Sequence, residues 1–225
     1  MLILALVIFD TNQSLPSKKV EFYEKCITTF LSERQIQRGL QKLTLRAQNI
    51  LGSEMVIPRV AHYKYCKTNE NSSYKFTSVQ LKDSVLDAIE VPDRINWNQP
   101  AEEYIQYLIE RTELICEVDE EALDFTHKTF FEYFLAIYFS KQLGTNILQR
   151  QLLKWIGDAN NHELAKLIIE IIILKGEPYR QDEIMSSLFN VLKMQKAPKK
   201  HDVLHLLIEL YDENILPPKY HNSCC

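Results

Sequence analysis

Apolar residues recur along most of this chain at helical spacing, and the breaks between them divide it into three parts. Met1 to Phe9 is apolar throughout, and Ser14-Leu-Pro-Ser-Lys-Lys closes that run. Pro16 or Ser17 can open a second helix, in which Val20, Tyr23, Ile27, Phe30 and Leu31 fall on one face and Phe22 and Cys26 widen it. Residues 1 to 37 are therefore expected to form a helical hairpin. Leu40, Leu43, Leu45, Ala47, Ile50 and Leu51, then Val56 to Tyr65, continue the helical pattern, with Gly52 and Pro58 as interruptions and Lys67 to Ser73 as a polar loop. Phe76-Thr-Ser reads as a strand end leading into a short helix capped by Thr77 or Ser78, and Pro92 stops it. Ala101 to Arg111 has Tyr104, Ile105, Leu108 and Ile109 on one side. The run from Leu114 to His127, apolar at both ends with Asp119-Glu-Glu between, is expected to be a β-hairpin.

The stretch Asp124 to Ser140, DFTHKTFFEYFLAIYFS, is too continuously apolar for a solvent-facing helix and is expected to be packed on most of its surface. Thr129-Phe-Phe-Glu132 fits a capping box, in which the Thr hydroxyl and the Glu carboxylate satisfy orphan amides reciprocally. Phe130 would then be the first helical residue and His127 would stand just outside the helix. An imidazole there is placed beside the positive end of the helix dipole, where an anion is favoured. The plainer alternative is a histidine hydrogen-bonded to backbone at the start of a helix.

Residues 144 to 225 contain an internal echo. His162-Glu-Leu-Ala-Lys-Leu-Ile-Ile-Glu170 and His201-Asp-Val-Leu-His-Leu-Leu-Ile-Glu209 keep one pattern of polar and apolar positions, 39 residues apart, a period that belongs to paired-helix repeats. Asp182 to Lys193 and Thr145 to Trp155 supply the partner helices. Two copies are few for a free-standing solenoid, so further repeats or another domain are expected beside them.

Composition narrows the classes. Five Gly among 225 residues, with 11 Tyr and 10 Phe, favour long helices over a many-turned β fold. A net charge of −4 announces neither a nucleic acid nor an anionic membrane. Five cysteines, odd in number and never in C-x-x-C, suit reduced thiols in cytoplasm. The nine-residue N-terminal apolar run and the stretch Glu163 to Leu174, broken by Lys166 and Glu170, are both short of the roughly 20 residues a membrane span needs. Helix, helix, hairpin and helix is the winged-helix order, but the recognition-helix candidate, 101 to 111, carries Glu102, Glu103 and Glu110 against Arg111, a surface that repels phosphates. His201 and His205 are spaced i, i+4 as in zinc helices; with Asp202 in place of a general-base Glu and no third ligand evident, they read as a solvated face.

Asp124-Phe-Thr-His-Lys-Thr-Phe-Phe-Glu-Tyr-Phe-Leu-Ala136 resembles the signature that closes the winged-helix domain of NACHT-type signalling NTPases, a class that includes animal NOD-like receptors and bacterial antiviral proteins. Tyr104 to Glu117 is similar to that family's preceding helix and first hairpin strand, and Met1 to Val7 with Leu15-Pro16 and Val20 to Cys26 is similar to its helical domain. The resemblance covers about residues 1 to 140. It implies a helical domain at 1–45 following a nucleotide-binding core, a winged-helix domain at 46–142 and paired-helix, HEAT-like repeats at 143–225, a mainly α fold with one hairpin. It also implies that His127 contacts the β-phosphate of ADP, with Thr129 and Glu132 capping the helix behind it.

Two departures stand out. Glu113 replaces the Gly usual before the strand, and the chain has neither a G-x-x-x-x-G-K-[ST] loop nor a strand ending in paired Asp. No enzyme activity is expected of these residues alone, no cofactor within them, and no metal site. ATP or ADP with Mg²⁺ is expected where a nucleotide-binding domain joins them upstream, the chain being the C-terminal portion of a larger protein or a truncated product. The expected role is the regulatory and sensing segment of a cytoplasmic signalling NTPase of innate-immune or antiphage type, with a trigger read by the repeats, homo-oligomerisation on activation, and neither DNA nor membrane as partner. A stand-alone helical adaptor is the alternative, and a DNA-binding winged helix the third.

Overall fold

A computed structural model describes residues 16–29, 44–51, 53–70, 74–90, 94–194 and 199–223. The expected helix over the first nine residues and the end of the second expected helix, 30–37, lie outside them. Among the described residues the chain is mainly helical with one two-stranded sheet. Tyr23–Leu135 forms one compact unit, and Pro16–Phe22 with Ala136 onward forms a second, so the division falls within two helices.

In the first unit, α1 (Lys19–Thr28) buries Tyr23 and Cys26, α2 (Leu45–Leu51) buries Ala47 and Ile50, and α3 spans Val56–Glu70. Pro58 does not interrupt α3. It is the third helical residue, where the missing amide would have had no partner in the helix. The expected loop at Lys67 is helical as far as Glu70. α4 (Ser78–Ala88) starts at a complete capping box: the Thr77 hydroxyl accepts from Gln80 N at 3.2 Å and the Gln80 side chain accepts from Thr77 N at 2.9 Å. Thr77, not Ser78, is thus the cap.

Helix α5 (Asn98–Tyr107) runs into a π turn, Leu108–Thr112, before β1 (Ile115–Asp119) and β2 (Ala122–Phe125). The strands pair antiparallel with Ile115 opposite Phe125 and Glu117 opposite Leu123, and the register shifts before Asp119. Phe76 adds a third partner to the sheet, exchanging both backbone bonds with Leu123 at 2.9 and 2.8 Å. The order helix, strand residue, helix, helix, hairpin is that of a winged helix, with α4 against α3, β2 and α5. α6 (Lys128–Gln142) follows immediately.

The second unit holds α7 (Thr145–Ile156), α8 (His162–Lys175), α9 (Pro178–Lys193) and α10 (Lys200–Asp212). Each of these four helices touches the other three. α9 begins four residues ahead of the expected Asp182, because Pro178 at the first helical position has the right φ already fixed. α8 is buried from Leu164 to Ile173 without interruption. The two charged residues within that stretch sit inside: the Lys166 ammonium is 2.7 Å from Glu213, and the Glu170 carboxylate accepts the Val20 amide at 3.1 Å. No helix of the described residues is long and apolar enough to cross a membrane.

Candidate functional site

β2 ends at Phe125, and Thr126 ties the chain back to the start of β1. Its amide donates to Leu114 O at 3.1 Å and its hydroxyl to Glu113 O. The chain therefore turns at once, and α6 starts at Lys128, two residues before the expected Phe130. Phe125 packs on Phe131 and Phe134, with ring centroids 5.5 and 6.3 Å apart, while Phe130 and Tyr133 pack on Tyr23 at 6.2 and 5.4 Å. These contacts fix the first two turns of α6 on both sides.

His127 is exposed at the head of this helix. Its carbonyl accepts the amides of Phe130 and Phe131 at 3.1 and 3.3 Å, so His127 itself is the residue from which the helix starts. Its imidazole makes no hydrogen bond to a described residue and leans on Phe130, centroids 6.0 Å apart. Among the described residues the backbone-bonded alternative does not form. What the geometry offers is an unengaged imidazole beside the first amides of a long buried helix, the setting in which an anion is stabilised by both charge and N–H donors.

The capping box expected of Thr129 and Glu132 does not form. With the helix starting at Lys128, Thr129 is the second helical residue, and its Oγ1 is buried without a hydrogen-bond partner. Glu132 is buried instead beside Lys128, one turn back, at 3.1 Å. The reason is the early turn at Thr126, which moves the cap position to His127.

The hairpin beneath His127 is braced by a buried cation that the sequence pattern did not reveal. Lys64 on α3 reaches Asp124 at 3.0 Å and donates to Tyr74 O at 2.7 Å, with the rings of Tyr74, Phe76 and Phe131 5.8 to 5.9 Å from its ammonium. A cation this buried is stable only because charge, carbonyl and ring faces all meet it. Glu113, in the place where the resembled family has Gly, adopts the left-handed conformation at φ 54°, ψ 24°. At these angles Glu bears a strain that Gly would not.

A second cluster was missed as such. His162, read only as the start of a repeat, meets Glu209 of the other copy: Nε2 lies 2.9 Å from Glu209 Oε2, and Nδ1 3.1 Å from Ile156 O. His205 Nδ1 is 3.6 Å from Glu209 Oε1, and the two imidazole centroids are 6.0 Å apart. Partial burial alone would lower the His162 pKa; its bonds to Glu209 and Ile156 outweigh that and raise it. Burial likewise opposes ionisation of Glu209, yet His162 and Lys166 hold its carboxyl below the usual range. His201, the other member of the expected solvated pair, is exposed and outside this cluster. The signal available was the echo itself, since stacked repeats bring equivalent helices side by side.

Cys26 is buried, and burial pushes its pKa up to about 12, which leaves it an inert thiol. No family model, curated protein or solved structure matches the chain.

Proposed function

We propose that the chain is the regulatory segment of a NACHT-type signalling NTPase, in which His127 contacts the phosphate of bound ADP. The observation that carries this reading is the exposed, unengaged imidazole at the head of a buried aromatic helix that directly follows a β-hairpin. A phosphate there would meet the imidazole and the first amides of α6 together. Two further points support the reading: the order of elements from Val56 to Gln142, and a left-handed Glu113 at the turn ahead of the hairpin. Hydrolysis belongs to a nucleotide-binding core carrying its own phosphate loop and Mg²⁺, and the setting is cytoplasmic, in defence signalling with oligomerisation on activation.

The test begins with the reading frame ahead of Met1. A Walker A motif there, followed by purification of the joined protein with ADP bound and loss of that ADP in His127→Ala, is the expected result. A frame without such a motif, or equal ADP content in both proteins, would overturn the proposal.

One observation favours a protein-binding adaptor as the second reading. Leu204, Ile208 and Tyr211 are 37, 46 and 45% exposed and recur along one face of α10. Under the leading proposal the same stripe serves the trigger or the next repeat; under the second it is the function. Nucleotide retention separates the two, since an adaptor holds no ADP.

A further inference from the structure

His162 is held at both ring nitrogens by groups that only accept. A backbone carbonyl offers no proton, so Nδ1 donates to Ile156 O, and Nε2 of the neutral ring would then aim a lone pair at the Glu209 carboxylate 2.9 Å away. Something electrophilic must lie between them. A proton satisfies that pair, but leaves the approach of a second imidazole unexplained. His205, one turn before Glu209 on α10, brings Nδ1 to 3.6 Å from the other carboxylate oxygen. One ligand atom from each of the three side chains lies within 4.8 Å of the other two.

We propose that His162, His205 and Glu209 form a binding site for a divalent transition-metal ion, with zinc the best fit to two imidazoles and a carboxylate. Zinc bonds N and O ligands at about 2.0 to 2.2 Å in a tetrahedron, so ligand atoms stand roughly 3.4 Å apart, and the set must contract by about an ångström. His205 can make that movement, its side chain being 61% exposed. The Ile156 carbonyl is the outer partner that a ligating histidine ordinarily has, fixing the tautomer with Nε2 toward the metal. Lys166 is the charge that opposes a cation, 3.7 Å from Glu209 Oε2, and Glu213 neutralises it at 2.7 Å. Water completes the coordination on the exposed side. A metal here ties α8 to α10, one ligand from the first and two from the second.

The test is calorimetric titration of the chelator-stripped 225-residue chain with Zn²⁺, in a background of Cys66→Ser, Cys224→Ser and Cys225→Ser so that thiols do not compete. One ion per chain is expected. His205→Ala, whose exposed side chain is dispensable for folding, should weaken binding by more than the tenfold to about a hundredfold that loss of an outer partner costs. Zinc should raise the melting temperature of the parent and leave that of His205→Ala unmoved. Absence of binding in the parent, or an unchanged affinity in His205→Ala with its helical circular dichroism intact, would overturn the site. Glu209→Gln gives a second, independent removal of a ligand with the same expected loss.

Discussion

His127 and His162 both stand at the head of a buried helix, and their surroundings treat them in opposite ways. His127 is exposed, and no described residue hydrogen-bonds its ring. His162 is half-buried with both nitrogens engaged. A helix N-terminus therefore does not decide what an imidazole does. At α6 the aromatic side chains pack beneath His127 and leave the ring facing out, whereas at α8 a neighbouring repeat helix delivers a carboxylate and a second imidazole. The first arrangement leaves capacity for an external anion, and the second is filled from within the chain and open only to a proton or a small cation.

Mutation should separate the two most sharply. Without added metal, His162→Ala leaves the Ile156 carbonyl and the Glu209 carboxylate without their shared donor, and is expected to cost about 1 to 3 kcal/mol. His127→Ala removes an exposed ring and should stay within about 0.5 kcal/mol of the parent. Urea unfolding of the two variants side by side measures both; similar losses would break the contrast.

A charged group inside α8 offers the next test. Burial raises the Glu170 carboxyl above its usual range, against the pull of the Val20 amide, Lys19 and Lys166 and with the push of Glu213. The folded chain thus holds a proton at pH values where the unfolded chain, with a carboxyl near pH 4.3, has lost it, and stability falls as pH rises from about that value toward the raised one. Glu170→Gln keeps the acceptor for Val20 and removes the charge. The variant should flatten that fall and gain about 1 kcal/mol at neutral pH, with the difference vanishing below about pH 4. Denaturation midpoints across that range check it, and an unchanged pH profile would contradict the assignment.

Much of the fold could be read from local pattern because local chemistry determines it. The helix cap at Thr77 or Ser78, the hairpin between Ile115 and Phe125, and the four helices of the second unit all follow from spacing and propensity. The misreadings share a cause: a distant contact altered a local rule. Thr126 bonding back to Leu114 and Glu113 turns the chain early and dissolves the box expected at Thr129 and Glu132. Pro58 reads as a break until its place in the first helical turn is known. The joining of His162 to His205 and Glu209 depends on how repeat helices stack, which no i, i+4 pattern encodes. His127 was legible as a position; that no described residue hydrogen-bonds its ring was not.

A further small effect is expected at the turn ahead of the hairpin. Glu113→Gly should relieve the left-handed strain, stabilising the chain by up to about 1 kcal/mol without moving the hairpin or His127. Thermal unfolding measures it, and a destabilised variant would mean that the Glu113 side chain contributes more than its backbone costs.

The contrast between the two histidines rests finally on whether His127 is open because it awaits a phosphate. Under the proposed function, the decisive measurement is the ADP content of the chain joined to the nucleotide-binding domain that the proposal calls for ahead of Met1, parent against His127→Ala. Retained ADP in the parent and its loss in the variant is the predicted result; equal ADP in both would contradict the phosphate contact.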